Sequence, residues 1–411
     1  MQEIIFEKPY KFIPPYRGTF WSSFIQRSGL IEYHLRKSAG IVSHEVRHAE
    51  RLKQSIVAGH GIILSPNHSR MSDPISLGFL CRKLSIHIYA MAGWHLFQGS
   101  GFMAWAIRNL GAFSIYREGP DRASLNMAID LVTEAERPLG LFPEGITTLT
   151  NDRLMPLLDG IALIARTAAK RRAKIDPDHK VVIHPVGLRY LFLDDLDKAI
   201  EPVLRKYEDR FTWREHPGMS PKERILRIGQ AMLISKEIEF FGDPQHGTLR
   251  ERLDGLVERL LIPLEEEWLE KTRPGEPCVQ RVKDLRMRIL PDMITGSITA
   301  DERQRRWRQF ADIYLAQQIA SYPADYLKGK PSVDRLMDIL ERFEEDLEDF
   351  ATVHGRRHLV IDVGEPIEVA LKRPRSESTD PLMVKLQTQM QNMIDQLAQE
   401  SRPYEYAASS A

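Results

Sequence analysis

The spacing of hydrophobic and polar residues changes near residue 195 of this chain. Before that point, short apolar runs alternate with amphipathic stretches, which is typical of a sheet covered by helices. The runs predict strands at 61–65, 86–91, 113–116, 139–142 and 181–186, and the stretches predict helices at 121–136 and 158–172. The sequence therefore indicates an α/β fold with a mixed, largely parallel sheet flanked by helices.

The second half of the chain has the hydrophobic period of helices. Helices are predicted at 222–241, 249–271, 300–320 and 333–350, and strand character returns at 359–367. We therefore expect a large all-helical insertion before the last strand. The expected units are a basic and aromatic arm (1–39), an α/β domain (40–195), a helical module (196–356), a closing strand (357–370), and a C-terminal helix at 381–400 within a segment (371–411) that ends in a disordered tail.

Composition narrows the classes of partner. The 411 residues include 57 basic and 57 acidic side chains, so no overall positive field favours nucleic acid. Two cysteines in no metal-type spacing are typical of a reducing compartment. The chain contains no run of eighteen apolar residues, and its first residues lack the pattern of a signal peptide. We expect a protein that is neither secreted nor membrane-spanning.

The N-terminal region departs from this balance of charge. Residues 8–53 contain nine basic side chains and three acidic ones, and aromatic residues are interleaved with them between residues 10 and 24. Such a segment can sit on an anionic membrane surface, or it can pack on the domain with its charges solvated. The first alternative predicts a cytoplasmic protein that associates peripherally with membrane lipid.

A histidine and a carboxylate with defined spacing follow the first predicted strand of the α/β domain. His68 and Asp73 lie in the sequence Pro-Asn-His-Ser-Arg-Met-Ser-Asp-Pro at 66–74. An imidazole beside an acid can act as a general base toward a hydroxyl group. Taken alone, however, Asp73 also fits a helix cap before Pro74, and His68 also fits an ordinary loop histidine.

Three more segments end in residues suited to a polar substrate. The run 111–117 ends in Arg117, the turn 142–145 carries Glu144 and Gly145, and the strand at 181–186 carries Pro185. In order and spacing, these segments and the His68 motif resemble the four sequence blocks of the glycerolipid acyltransferases, the family of 1-acylglycerol-3-phosphate acyltransferases and their relatives. The resemblance covers about residues 40–195 and 357–370.

This resemblance implies an activity and a role for each matched residue. His68 and Asp73 would form the catalytic pair, and Arg117 would bind the phosphate of the acceptor. The other candidate substrate-binding residues are Asn67, Glu144, Gly145 and Pro185, the last near the acyl site. The donor would be acyl-CoA or acyl-carrier protein, and no metal or other cofactor would be needed.

One position departs from the family pattern. Members that act on glycerol phosphates usually continue the Pro-Glu-Gly turn with Thr-Arg, whereas this chain has Ile146-Thr147. Arg153 could replace the missing arginine, or it could be a solvated loop charge. The motifs therefore leave the identity of the acceptor open, and a lysophospholipid or another glycerol-phosphate-like molecule fits the pattern.

Other readings of the sequence predict different functions. The His-Glu-Val-Arg-His run at 44–48 could bind zinc on a helix, but Arg47 and the charges after it favour a solvated amphipathic helix. A lipid hydrolase would use a serine with His68, yet no Gly-x-Ser-x-Gly turn occurs. An inactive membrane-bound scaffold is a further alternative. Residues 102–107 could line an acyl groove, although we expect them to pack in the core.

Overall fold

One mixed sheet forms the centre of the α/β domain. The computed structural model describes residues 5–176, 178–214, 218–373 and 379–406. The strands are β1 (Ile41–Arg47), β2 (Gly61–Pro66), β3 (Tyr89–Gly93), β4 (Ala112–Ile115), β5 (Leu139–Gly140), β6 (Val181–Phe192), β7 (Arg357–Val363) and β8 (Ile367–Glu368). Their order is β1-β7-β6-β2-β5-β3-β4, and β8 also pairs with β6. All pairs are parallel except those of β6 with β7 and β8. The predicted fold class is confirmed.

Helices cover both faces of this sheet. They are α1 (Phe20–Arg27), α2 (Leu30–Ala39), α3 (Ala49–Val57), α4 (Asp73–Leu84), α5 (Gly101–Asn109), α6 (Arg122–Glu134), α7 (Gly160–Ile175) and, after the last strand, α15 (Pro381–Ala398). One face packs on α6, α7 and α15, and the other packs on α2, α3 and α4. The buried faces of the strands supply apolar side chains to both layers, as expected for a sheet covered on two sides.

A helical insertion separates β6 from β7. Its helices are α8 (Leu196–Arg210), α9 (Pro221–Phe241), α10 (Leu249–Leu269), α11 (Cys278–Ile289), α12 (Pro291–Thr295), α13 (Ala300–Ala320) and α14 (Val333–Glu348). Phe192, at the end of β6, lies opposite Arg357, at the start of β7, in the antiparallel ladder. Because the two ends of the insertion meet in one strand pair, the sheet accommodates it without a break.

The sequence prediction for residues 44–48 is wrong. These residues belong to β1 and the turn after it, and not to an amphipathic helix. His44 stacks on Phe79 with ring centroids 3.7 Å apart, whereas His48 bonds to Asp362. An edge strand tolerates charged residues on its solvent side, and this is why a polar run could pair with β7.

Several other boundaries differ from the predictions. Helices α1, α2, α5, α8, α11 and α12 were not predicted, and the predicted closing strand is divided into β7 and β8. In α5, Phe102 and Trp105 are exposed, so the expected core packing of 102–107 is wrong for them. The tail is ordered as far as residue 406, because Pro403 pairs with Ser332 and the amide of Tyr404 donates to the carbonyl of Pro331. The rest of the expected disordered tail, 407–411, lies outside the described residues.

Candidate active site

Three of the candidate residues follow parallel strands at the carboxyl-terminal end of the sheet. His68 comes after β2, Arg117 after β4 and Glu144 after β5. Parallel strands present their carboxyl ends together, which is where open α/β sheets bind ligands. The fold thus places these three residues at the same end of the sheet. Strand β4 is three strand spacings from β2, a distance of ~14 Å at ~4.8 Å per spacing.

His68 and Asp73 are in direct contact. Nδ1 of His68 lies 3.0 Å from Oδ2 of Asp73, which is fully buried as the first residue of α4. The same oxygen accepts the backbone N–H of Arg70 at 2.8 Å. Because an ionised carboxylate only accepts hydrogen bonds, this contact assigns the proton to Nδ1 and leaves Nε2 free to accept one.

Tyr190 holds the other oxygen of Asp73. Its phenol, on β6, donates to Oδ1 of Asp73 at 2.5 Å. Burial and, after it, the negative charge of Asp73 raise the pKa of Tyr190 well above its ordinary value, so the phenol stays protonated as a donor. The histidine is thus oriented by a carboxylate that is itself held on both oxygens.

Glu144 fixes the backbone beneath His68. Its Oε1 accepts the N–H of His68 at 2.7 Å, and its Oε2 accepts the N–H of Met155 at 2.8 Å. Burial raises the pKa of Glu144 to about 7, against the two backbone hydrogen bonds that lower it, and the nearby Asp73 raises it further. Both oxygens are engaged within the protein, so Glu144 joins the loop after β5 to the loop after β2.

Gly145 allows the turn that follows. Its φ of +72° lies in the left-handed region, and a Cβ there would come 2.6 Å from Cδ1 of Leu158. The turn brings Thr147 to the free side of the imidazole, with Oγ1 3.3 Å from Nε2 of His68. The residue at the position of the family arginine therefore contacts the proposed base.

Asn67 and Pro185 are used by the framework of the domain. Both side-chain groups of the buried Asn67 bond to the backbone of Leu188, at 3.1 and 2.7 Å. Pro185 is buried within β6, where it pairs with Ser65, and its carbonyl accepts the N–H of Gly364. These contacts tie β2, β6 and the turn after β7 together behind His68.

Arg117 makes no hydrogen bond or ion pair with the described residues around His68 and Asp73. It is exposed to solvent. Tyr116, the residue before it, packs on the hydrophobic cluster of the helical insertion. Arg117 thus lies where the domain meets the insertion.

The insertion also reaches the loop between His68 and Asp73, which the sequence motifs gave no means to predict. Arg70, between His68 and Asp73, bonds to Asp338 at 3.0 Å and to Glu341 at 2.5 Å, both on α14. All three side chains are largely or wholly buried. The acidic residues of α14 read as a solvated helix face in the sequence, and only the fold shows that this face is buried against Arg70.

Arg153 is engaged elsewhere. Its Nη1 lies 2.7 Å from Oδ1 of Asp325, in the segment between α13 and α14. Among the residues that the structure describes, no group of histidine, cysteine and carboxylate side chains is arranged to hold a metal ion.

Comparison with known proteins agrees with this arrangement. A family model described as Acyltransferase matches residues 43–189. A 1-acyl-sn-glycerol-3-phosphate acyltransferase of Streptococcus pneumoniae (strain ATCC BAA-255 / R6) is 33% identical over 110 residues, which are 27% of this chain and 38% of that protein. The chain thus spans less than two fifths of the length of this relative. The match over residues 43–189 supports the resemblance to the glycerolipid acyltransferases that the four motifs predicted.

Proposed function

We propose that this chain is an O-acyltransferase that moves a fatty acyl group from a thioester to a hydroxyl group. The donor would be acyl-CoA or acyl-carrier protein, and the acceptor a lysophospholipid or a glycerol-phosphate-like molecule. The observation that carries the proposal is the 3.0 Å contact between Nδ1 of His68 and the buried Asp73. It leaves Nε2 as the free acceptor of the imidazole.

In this mechanism, Nε2 of His68 takes the proton of the acceptor hydroxyl as its oxygen attacks the thioester carbonyl. The imidazolium that forms is stabilised by Asp73. The tetrahedral intermediate then expels the thiolate, which takes the proton back from Nε2, so that an ester and a free thiol leave the site. No acyl-enzyme and no metal are required.

The acceptor is proposed to carry a phosphate. Arg117 supplies a guanidinium that no described carboxylate engages, and guanidinium groups suit phosphate oxygens. The name of the streptococcal relative gives 1-acyl-sn-glycerol-3-phosphate as its acceptor. The departure at Ile146-Thr147 separates this chain from the usual family pattern, so we propose the wider class of lysophospholipids and glycerol phosphates.

We also propose that the protein works at a membrane surface. Phe20, Phe24 and Tyr33 on α1 and α2, and Phe102 and Trp105 on α5, are exposed. The two groups join through Trp21 and Trp105, whose ring centroids are 4.8 Å apart. The described part of the chain contains no helix both long and apolar enough to cross a bilayer. A peripheral, cytoplasmic location would bring the site to its lipid substrates.

Release of free thiol from palmitoyl-CoA tests this function. The assay would use lysophosphatidate, lysophosphatidylcholine, lysophosphatidylglycerol and glycerol 3-phosphate as separate acceptors, with ester formation followed by mass spectrometry. We expect thiol release that requires an acceptor and matches the ester formed. If the protein binds vesicles but turns over neither palmitoyl-CoA nor palmitoyl-acyl-carrier protein with any of these acceptors, the inactive scaffold would be indicated instead.

One contact favours a second candidate, a lipid hydrolase. The hydroxyl of Thr147 lies 3.3 Å from Nε2 of His68, so Thr147, His68 and Asp73 have the order of a nucleophile, a base and an orienting acid. Such an enzyme would release fatty acid without an acceptor and would be labelled by a fluorophosphonate on Thr147. Acyl transfer by direct attack leaves the protein unlabelled.

A further inference from the structure

A second arginine, in the helical insertion, lies within electrostatic range of Arg117. Arg286 lies on α11, outside the segment that matches the acyltransferase family. Its side chain is buried, with the residue only 7% exposed. The domain itself lacks the arginine that usually follows the Pro-Glu-Gly turn, and Arg153 is paired with Asp325. A cation for the acceptor would therefore have to come from another part of the chain.

Arg286 is incompletely satisfied within the protein. Its Nη2 donates to Oε1 of Gln317 on α13 at 3.1 Å, while its buried Nε has no hydrogen-bond partner among the described residues. No described carboxylate forms an ion pair with it. Because a buried cation without a counter-charge in direct contact is costly, such a group is typical of a site that receives an anion.

Arg286, Arg117 and His95 lie in one region, because Tyr116, next to Arg117, packs on the cluster that includes Leu285 and Ile289 of α11. Burial lowers the pKa of Arg286, Glu118 opposes this, and the positive charge of Arg117 lowers it again. Burial, followed by the charges of Arg117 and Arg286, lowers the pKa of His95 to about 4, so this imidazole is neutral at pH 7. The carboxylate of the buried Glu118 is thus within electrostatic range of both guanidinium groups. The local charge favours an anion.

The same part of the insertion is connected to His68. Gln317, which holds Arg286, is followed on α13 by Gln318, whose carbonyl accepts from Arg342 at 3.1 Å. Arg342 also donates to the carbonyl of Thr148 at 3.0 Å, and the amide of Thr148 donates to the carbonyl of His68 at 2.8 Å. A short series of buried and half-buried hydrogen bonds therefore connects α13 and α11 to the loop that carries His68.

We propose that Arg286 and Arg117 together bind the phosphate monoester of the acyl acceptor, so that the insertion supplies the arginine that the Pro-Glu-Gly turn lacks. This assignment rests on the proposed function. Arg286 is a binding residue whose side chain takes no part in proton transfer. The insertion would then determine which acceptors the enzyme accepts.

Calorimetric binding of glycerol 3-phosphate to the full chain tests this proposal without any turnover. The variants are Arg286→Gln, Arg117→Gln and Arg286→Lys, with Arg288→Gln as the control because Arg288 is an exposed residue of the same helix. We expect the dissociation constant to rise about 10- to 100-fold in each glutamine variant, as for loss of a charged hydrogen bond. Arg286→Lys should retain part of the affinity, and Arg288→Gln should bind like the wild type.

Three outcomes would overturn the assignment: no binding by the wild type, wild-type affinity in Arg286→Gln, or an equal loss in Arg288→Gln. Binding of desulfo-CoA is measured in parallel. If Arg286→Gln loses affinity for desulfo-CoA alone, Arg286 would be assigned to the donor and the proposal would be overturned. If Arg286→Gln does not fold, as judged by circular dichroism, Arg286→Lys and Arg117→Gln decide in the same way. Phosphate binding that requires Arg286 in a protein without acyl transfer would refute the proposed function alone.

Discussion

The phenol of Tyr190 donates a 2.5 Å hydrogen bond to Oδ1 of Asp73, whose Oδ2 lies 3.0 Å from Nδ1 of His68. Tyr190 lies in β6, more than a hundred residues after the motif that it supports. The carboxylate is therefore held by the sheet as well as by the loop that carries His68, in which the N–H of Arg70 donates to Oδ2. This relationship predicts that activity depends on a residue outside the four sequence blocks.

Replacement of Tyr190 by phenylalanine should lower kcat about tenfold, because a buried carboxylate loses a charged hydrogen bond worth ~1.5 to 3 kcal/mol. KM for the acceptor should change less than kcat. Tyr404→Phe is the matched control, since Tyr404 also donates to an aspartate, Asp197, in the insertion. Equal kcat values for Tyr190→Phe and Tyr404→Phe would show that the bond to Asp73 is not used in catalysis.

Glu144 should make stability depend on pH. Its pKa is about 7 in the folded protein, above its ordinary value of 4.5, because burial disfavours the charge. A raised carboxyl pKa stabilises the folded state below pH 4.5, and this contribution is lost as the pH rises through 7. The free energy of unfolding, measured in urea at pH 5 and pH 8, should fall by up to ~3 kcal/mol more in the wild type than in Glu144→Gln. Parallel pH profiles for the two proteins would contradict this environment for Glu144.

Removal of the Thr147 hydroxyl separates the two candidate reactions. In Thr147→Val, direct acyl transfer should stay within about threefold of the wild type, because the hydroxyl, which contacts Nε2 of His68 and Sδ of Met71, is neither base nor nucleophile in that reaction. Thr167→Val is the control, because Thr167 on α7 is half-buried like Thr147. A decrease in activity of about 10³-fold or more in Thr147→Val, together with fluorophosphonate labelling of the wild type at Thr147, would identify a hydrolase that uses Thr147 as its nucleophile.

The contact between α14 and Arg70 predicts that the insertion supports the loop between His68 and Asp73. Asp338→Asn removes a charge that faces the buried Arg70, so the protein should lose ~2 to 4 kcal/mol of stability and much of its activity. The control is Asp209→Asn, at an exposed position of α8. Urea unfolding and the thiol assay would measure both effects. Unchanged stability and activity in Asp338→Asn would mean that α14 does not position the loop.

The exposed aromatic residues predict membrane binding. Phe102→Ser should reduce cosedimentation with vesicles of phosphatidylglycerol and phosphatidylcholine several-fold, because the loss of ~150 Å² or more of apolar area weakens insertion. Phe102 is 75% exposed, and Phe350→Ser is the matched control because Phe350 is 60% exposed beyond α14. If both variants bind vesicles equally well, the surface formed by α1, α2 and α5 does not face the bilayer.

The sequence predicted best the parts of the molecule that depend on local pattern. Apolar runs were sufficient to predict β2 and the first half of β6, and the helical period was sufficient to predict α13. Burial of one side of these elements requires such spacing of apolar residues. The spacing of His68 and Asp73 predicted their contact for a similar reason, since one turn connects β2 to α4.

The contacts that the sequence did not predict join residues that are far apart along the chain. Tyr190 and Arg70 look ordinary in sequence, and only the packing of β6 and α14 around the loop shows what they contact. Residues 44–48 were predicted to be helical from their polar pattern, but the tertiary pairing of β1 with β7 outweighs that pattern. Asn67 was expected to bind substrate, but its amide is used by the backbone of Leu188, a partner more than a hundred residues away.

The most direct test of the account is the rate of ester formation in His68→Ala with a saturating acyl donor and a phosphate-bearing lysolipid. Removal of a general base predicts a loss of about 10²- to 10⁴-fold in kcat at unchanged fold. The matched control is His179→Ala, an exposed histidine at the amino end of β6, on the opposite edge of the sheet, and its rate should equal that of the wild type. Ester formation by His68→Ala at the wild-type rate would contradict the assignment of His68 as the base.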